Sequence, residues 1–266
     1  MTVSNIIAAL EEFAPLSLQE SWDNSGLQIG LADGDDGECT GVMLCLDVTP
    51  AVIAEAREHG CNLVVSHHPL IFKGLKHIAG RTIQERAAAD AIRAGIAVYS
   101  SHTALDSAEG GVSCAMAEKI GARVLRPLAP TPGSPEQGLG VVAEFDTRVT
   151  MQILVERLHK AFDIASVKAS RCYRPDAEVR TIALCGGSGG EFIADAKAAG
   201  AQAYVTADIR YHDFADLQES PLAVFDIGHF ESEQCAEDII YSVINNKFPN
   251  FKVLRSVHEK CPVLYL

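Results

Sequence analysis

The chain has 266 residues, 48 % of them hydrophobic, and its 35 acidic side chains outweigh 22 basic ones for a net charge of −13. That length suits one large α/β domain or two lobes of ordinary size, with apolar content ample for a real core. A field of that sign repels phosphate backbones and anionic lipid; no Lys/Arg cluster stands out, and no apolar run reaches the roughly 18 residues of a membrane span. Nucleic acid and membrane are therefore poor default partners. Bound cations would reverse the sign locally, which keeps a phosphorylated small molecule open as a substrate.

Ser4 opens an amphipathic stretch with Ile6, Ile7, Leu10 and Phe13 at helical spacing, stopped near Pro15. The segment Met1–Glu20 has neither a basic n-region nor an apolar h-region, so the sequence reads as cytoplasmic. Val42–Leu46 is an apolar strand; Thr49 as N-cap and Pro50 in the first turn open a helix over Ala51–His59, closed by Gly60. Asn62–Val65 is the next strand. Thr82 and Glu85 form a capping box for a helix running to Arg93, closed by Gly95. Ile96–Ser100 reads as strand and Val112–Ile120 as helix. Alternation of this kind predicts helix-covered sheets with the working residues beyond the strands' carboxyl ends.

Leu128–Gly138 holds three prolines and two glycines and is the expected linker. Beyond it come strand Leu139–Phe145, a helix with Val149, Ile153, Leu154 and Leu158 on one face, and strand Ile164–Val167. Then follow strand Thr181–Cys185, a glycine turn, helix Glu191–Ala199, strands Ala203–Thr206 and Leu222–Ile227, and a helix from Phe230 to Ile244. Two strand-like pieces, Lys252–Val257 and Val263–Leu266, end the chain. The pattern predicts an α/β protein of two lobes, each a mixed sheet covered by helices: 1–127, a linker at 128–138, and 139–266.

Cys39, Cys45, Cys61, Cys114, Cys172, Cys185, Cys235 and Cys261 include no C-x-x-C pair. Without a secretion signal they read as small buried hydrophobes rather than disulfides or thiolate ligands.

Three stretches carry metal-type side chains directly after buried strands. Ser66-His67-His68-Pro69 places two imidazoles at a strand tip, where Pro69 pushes His68 into extended geometry so that the rings can straddle a gap. His102 and Asp106 follow the Ile96–Ser101 run. His229 and Glu233, four apart, share one face of a helix start. Each has a bland reading as a loop, cap or surface residue, and their shared placement makes the case. His67, His68, Asp106, His229 and Glu233 supply three nitrogens and two carboxylates, enough for two cations about 3.5–4 Å apart with positions left for water. Mixed N/O ligation without thiolate suits Zn, Mn, Fe, Co or Ni.

Trp22-Asp23-Asn24-Ser25-Gly26-Leu27, His67-His68-Pro69, His102 to Asp106, the Cys185–Glu191 glycine turn, Thr206-Ala207-Asp208-Ile209 with His212, and Gly228-His229 to Glu233 occur in that order. In this the chain resembles, over essentially its whole length, the GTP cyclohydrolase 1 type 2 homologues, the Ngg-interacting-factor-like dinuclear-metal proteins. The resemblance implies two α/β lobes with a dinuclear site in the cleft between them, ligands at the five residues above, and a ring-shaped homohexamer. Ser25 and Gln28 stand where the family is usually apolar, Ala104 where Asn is common, and Ser188 interrupts the glycine run; none is a proposed ligand. His102 and His212 are left over as residues that orient ligands or move protons. Asp23 and Asn24 either reach the site or merely make the turn before Gly26. The Gly186–Gly190 run either cradles an anion on its amides or makes a tight turn with close helix packing.

The implied activity is hydrolysis by metal-activated water of a nucleotide-like or phosphorylated small molecule, such as opening of the purine ring of GTP. A non-catalytic metal-storage, metal-sensing or partner-binding role is the alternative.

Overall fold

The computed structural model describes residues 1–264 apart from 32, 33, 35 and 36. Helix α1 (Val3–Phe13) is capped by Thr2 rather than opened by Ser4, because the Thr2 hydroxyl accepts the Asn5 amide and the Asn5 side chain accepts the Thr2 amide. Strands β1 (Gly26–Ile29) and β2 (Val42–Cys45) precede α2 (Pro50–Glu58), which starts on Thr49 and Pro50 as expected. Strand β3 (Leu63–Ser66) leads to α3 (Ile83–Ala94), capped by Thr82 and closed by Gly95 in the left-handed region. Glu85 does not complete the box; its carboxylate accepts the Ala79 and Arg81 amides instead. Next come β4 (Ala97–Ser100), α4 (Thr103–Ser107) and α5 (Val112–Lys119).

The chain continues through β5 (Arg123–Thr131), β6 (Ser134–Thr150), α6 (Met151–Phe162), β7 (Lys168–Ala169) and β8 (Glu178–Ser188). A 3-10 turn at Gly190–Phe192 precedes α7 (Ile193–Ala198), followed by β9 (Ala203–Ala207), α8 (Tyr211–Ala215) and β10 (Ala223–Asp226). Helices α9 (His229–Glu233) and α10 (Cys235–Lys247) replace the single helix expected from Phe230, and β11 (Val253–Arg255) comes last. The expected strand at 263–266 does not form at 263 and 264, and 265 and 266 lie outside the described residues.

Two compact units result, each with a mixed sheet covered by helices. The first comprises Met1–Ala108 with Ala236–Lys260, and the second Glu109–Cys235 with the residues from Cys261 on. In the first, the strand order is β1-β4-β3-β2-β11, parallel except for β1. The return of β11 to this sheet departs from the expected lobe boundary. It pairs with β2 and satisfies backbone groups that a bare edge would leave open. Met43, Val64 and Val98 pack beneath Val52, Ile53 and Ala87 of the covering helices, each large apolar side chain contributing about 1.5–3 kcal/mol by its burial.

The second unit has the order β5-β6-β8-β9-β10-β7, with β8, β9 and β10 parallel. Residues 128–138 are not a linker here but the closed end of the β5–β6 hairpin, with Pro130 paired to Gly138 and Thr131 to Ser134. Pro130 lies in edge strand β5, where a missing N–H is tolerated, Pro132 lies in the turn and Pro135 at the very start of β6. Gly138 has φ +151°, and a Cβ there would lie 2.1 Å from the Ala129 carbonyl oxygen. The punctuation thus reflects crowding across two strands, not a flexible joint. Val149 belongs to β6 and not to the following helix. All eight cysteines are free thiols and five are buried, and burial pushes the Cys45 thiol well up, which keeps it inert. Among the described residues no helix is long and apolar enough to cross a membrane.

Candidate metal-donor groups

In the first unit, parallel register aligns Cys45, Ser66 and Ser100 across β2, β3 and β4. Residues just past these strand ends therefore emerge along one edge: Asp47, His67 with His68, and His102. The ladder continues one step further, because His67 N donates to Cys45 O at 3.1 Å and His68 N to Leu46 O at 2.9 Å. The Ser66 and Ser100 hydroxyls, 2.7 Å apart, reach the His68 carbonyl at 2.8 and 3.2 Å. Backbone position is thereby fixed where the two imidazoles leave the sheet.

The His67 and His68 ring centroids lie 5.2 Å apart, and His102 lies 5.4 and 5.7 Å from them. His67 is fully buried, and its Nε2 stands 3.7 Å from Asp106 Oδ1. His68 Nδ1 is 3.0 Å from Asp47 Oδ1. His102 Nδ1 is 2.7 Å from Asp23 Oδ1, while Asp23 Oδ2 accepts the Ser25 hydroxyl and the Thr103 amide and hydroxyl. Burial alone would raise the Asp23 carboxyl, but these hydrogen bonds and the facing imidazole outweigh it and hold its pKa far below the usual range. Asp23 is thus the partner of His102, beyond any role in the turn before Gly26.

The second unit carries the other donors. His229 Nε2 is 3.0 Å from Glu233 Oε2, and His229 Nδ1 is 2.8 Å from Asp208 Oδ2. Asp208 adopts a left-handed conformation at φ 55°, one that Asp tolerates better than most residues. The buried Asp226 carboxylate holds both loops: Oδ2 accepts the Ile209 amide and Lys168 Nζ, and Oδ1 accepts the Gly228 amide. Gly228, at φ 91°, turns the chain from β10 into α9 and sets His229 and Glu233 on one face. His212 is exposed on α8 with its ring edge-on to Tyr211.

The glycine run serves packing. Gly186 N donates to Ser113 Oγ and Gly187 N to Ser232 Oγ, so those two amides are already committed within the fold. Gly187 has φ +62°, and a Cβ there would lie 2.1 Å from Glu233 Oε1. Glycine is what lets β8 pass this close to the buried Glu233 carboxylate.

The donor chemistry fits a divalent metal. A carboxylate on Nδ1 orients the ring and leaves Nε2 as the ligand atom, an arrangement common to metal-binding histidines. Ligand atoms about 2.1 Å from an ion and 90–120° apart are separated by about 3.0–3.6 Å. The His229–Glu233 spacing of 3.0 Å falls within that range, and the His67–Asp106 spacing of 3.7 Å lies just beyond its upper end. Asp47 and Asp226 carried no sequence signal, since a lone Asp after a strand looks like any turn residue. Asp208 could be noticed only through its motif.

The Duf34/NIF3 (NGG1p interacting factor 3) family model matches residues 1–262. A Streptomyces coelicolor GTP cyclohydrolase 1 type 2 homolog is 35 % identical over 87 % of this chain and 81 % of its own length. A Clostridium acetobutylicum protein of the same name is 34 % identical over 88 % and 85 %, and a Drosophila melanogaster NIF3-like protein 1 is 30 % identical over 86 % and 77 %. A Staphylococcus aureus hypothetical protein of known structure superposes with a TM-score of 0.88 at 27 % identity, covering 100 % of this chain and 99 % of the other. Sequence likeness along nearly the whole chain and likeness of fold agree, and the chain belongs to the Duf34/NIF3 family.

Proposed function

We propose that this protein is a metal-dependent hydrolase whose ligands are His67, His68, Asp106, His229 and Glu233, together binding two divalent ions. The observation that carries this reading is the repeated carboxylate–histidine pairing, Asp47 with His68 in one unit and Asp208 with His229 in the other. His67, His68 and Glu233 each present a donor atom suited to such an ion. Two bound divalent ions would supply Lewis acidity and a water of lowered pKa. The protein's own contribution is to fix the imidazole tautomers and to keep the Glu233 carboxylate, 4 % exposed, shielded from bulk solvent. His102, backed by Asp23 and adjoining the His67 and His68 rings, is positioned to move a proton; exposed His212 is a weaker candidate for the same role.

The substrate class is a nucleotide-like or phosphorylated small molecule, in keeping with the name of the bacterial relatives. A ring-shaped homohexamer in the cytoplasm is the expected working form. The family name records an interacting factor, which favours a partner-binding role as the second reading. Elemental mass spectrometry of the purified protein, joined to GTP and phosphoester turnover before and after chelation, tests the proposal. About two ions per chain and chelation-sensitive turnover support it. Less than one ion per chain would sink the dinuclear claim, and a metal-replete protein that turns over neither substrate favours the partner-binding role.

A further inference from the structure

Trp22 and Phe72 are large aromatic residues left 54 % and 43 % exposed in the unit that holds the three-imidazole group. Their ring centroids lie 6.0 Å apart, and each also stands beside His102, at 6.2 and 6.0 Å. All three contacts are edge-on, with interplanar angles of 68°, 75° and 89°. The rings therefore do not stack on one another, and exposed aromatic surface remains open. Burying such surface elsewhere would have stabilised the fold, so its exposure next to donor imidazoles marks a binding surface.

The two rings sit on loops that are tied together. Asn24 Nδ2 donates to Ile71 O at 2.7 Å, Gln28 Oε1 accepts the Ile71 amide at 3.2 Å, and Gln28 Nε2 donates to Asn24 O at 2.7 Å. Gln28 is thus part of the clamp that pre-orients the pair. The exposed loop after Phe72 carries Lys73, Lys76 and Arg81, with the Glu85 carboxylate folded onto its far end at the Ala79 and Arg81 amides. In a chain of net charge −13 this segment is locally basic, suited to an anionic group on the same ligand.

We propose that Trp22 and Phe72 form the platform on which the planar heteroaromatic base of the substrate stacks, presenting the molecule to the adjoining imidazoles. This rests on the hydrolase reading and specifies the part of the substrate that is recognised. A purine nucleotide has the required flat base and anionic tail.

Trp22 is the chain's one tryptophan, so its fluorescence reports on the platform alone. GMP should quench it saturably and ribose 5-phosphate should not. Phe72→Leu should weaken GMP binding about tenfold with metal content unchanged, as expected for loss of one stacking partner. Trp22→Leu should do the same by calorimetry. Equal responses to GMP and ribose 5-phosphate, or none to either, overturn the proposal. So does wild-type emission shielded from acrylamide, which would mean that another copy of the chain covers the platform. GMP quenching in a metal-replete protein that turns over neither GTP nor phosphoester would refute the hydrolase reading alone; metal-dependent turnover without GMP quenching would refute the platform alone.

Discussion

His229 Nδ1 is held 2.8 Å from Asp208 Oδ2, which leaves Nε2 to face Glu233 at 3.0 Å. In this pair a residue with no donor function of its own decides which nitrogen of the neighbouring ring can bind an ion. Asp208→Asn should therefore lower metal affinity by about 10- to 100-fold without unfolding the protein. Competition with a chromogenic chelator measures the affinity and circular dichroism checks the fold. Unchanged affinity would show that the ring needs no such orientation.

Gly187 tests the crowding around Glu233. Gly187→Ala introduces a Cβ 2.1 Å from Glu233 Oε1 at a position with φ +62°. Displacement of the carboxylate should reduce bound metal, and the strained backbone should lower stability by roughly 1–2 kcal/mol. Metal content per chain and a urea melt read the two effects separately. Full metal content in the variant would show that metal binding does not depend on this clearance.

Asp226 ties the Asp208 and His229 loops together by accepting the Ile209 and Gly228 amides while pairing with Lys168. Asp226→Ala leaves the buried Ile209 amide without its acceptor, a loss expected to cost about 1–3 kcal/mol. Lys168→Ala should cost much less, because the Lys168 side chain is 64 % exposed and solvent screens the pair. Equal melting temperatures for the two variants would contradict this ranking.

Glu237 and Glu259 are mutually close acids in the first unit. Burial first, then the charge of Glu259, pushes the Glu237 carboxyl up to about 8. Glu259 is raised as well, although the Leu46 and Asp47 amides stabilise its charged form. An acid whose pKa is higher folded than unfolded binds its proton more tightly in the native state. Its contribution is present at low pH and is lost as pH rises from the ordinary 4.5 toward 8. Glu237→Gln should therefore flatten the decline in melting temperature across that window relative to wild type. Parallel profiles for the two proteins would refute the shift.

Strand and helix alternation, the Thr49 and Thr82 caps, and the three donor stretches after strands were all legible in the sequence. These are local signals: periodicity, capping chemistry and the step from a buried strand to a polar tip involve neighbours along the chain. The stretch 128–138 misled because proline and glycine look alike in a linker and in a crowded hairpin at an edge strand. Helix α10 and β11 were seen as elements but assigned to the wrong unit, since only pairing with β2 draws them back. Asp47, Asp208 and Asp226 acquired their roles through hydrogen bonds that span 17 to 21 residues. The sequence by itself determined which residue types stand at the strand ends, because burial and turn chemistry are written locally. Only the tertiary structure decided which carboxylate each imidazole faces, since parallel register, set by the sheet as a whole, brings separate strand ends to one edge.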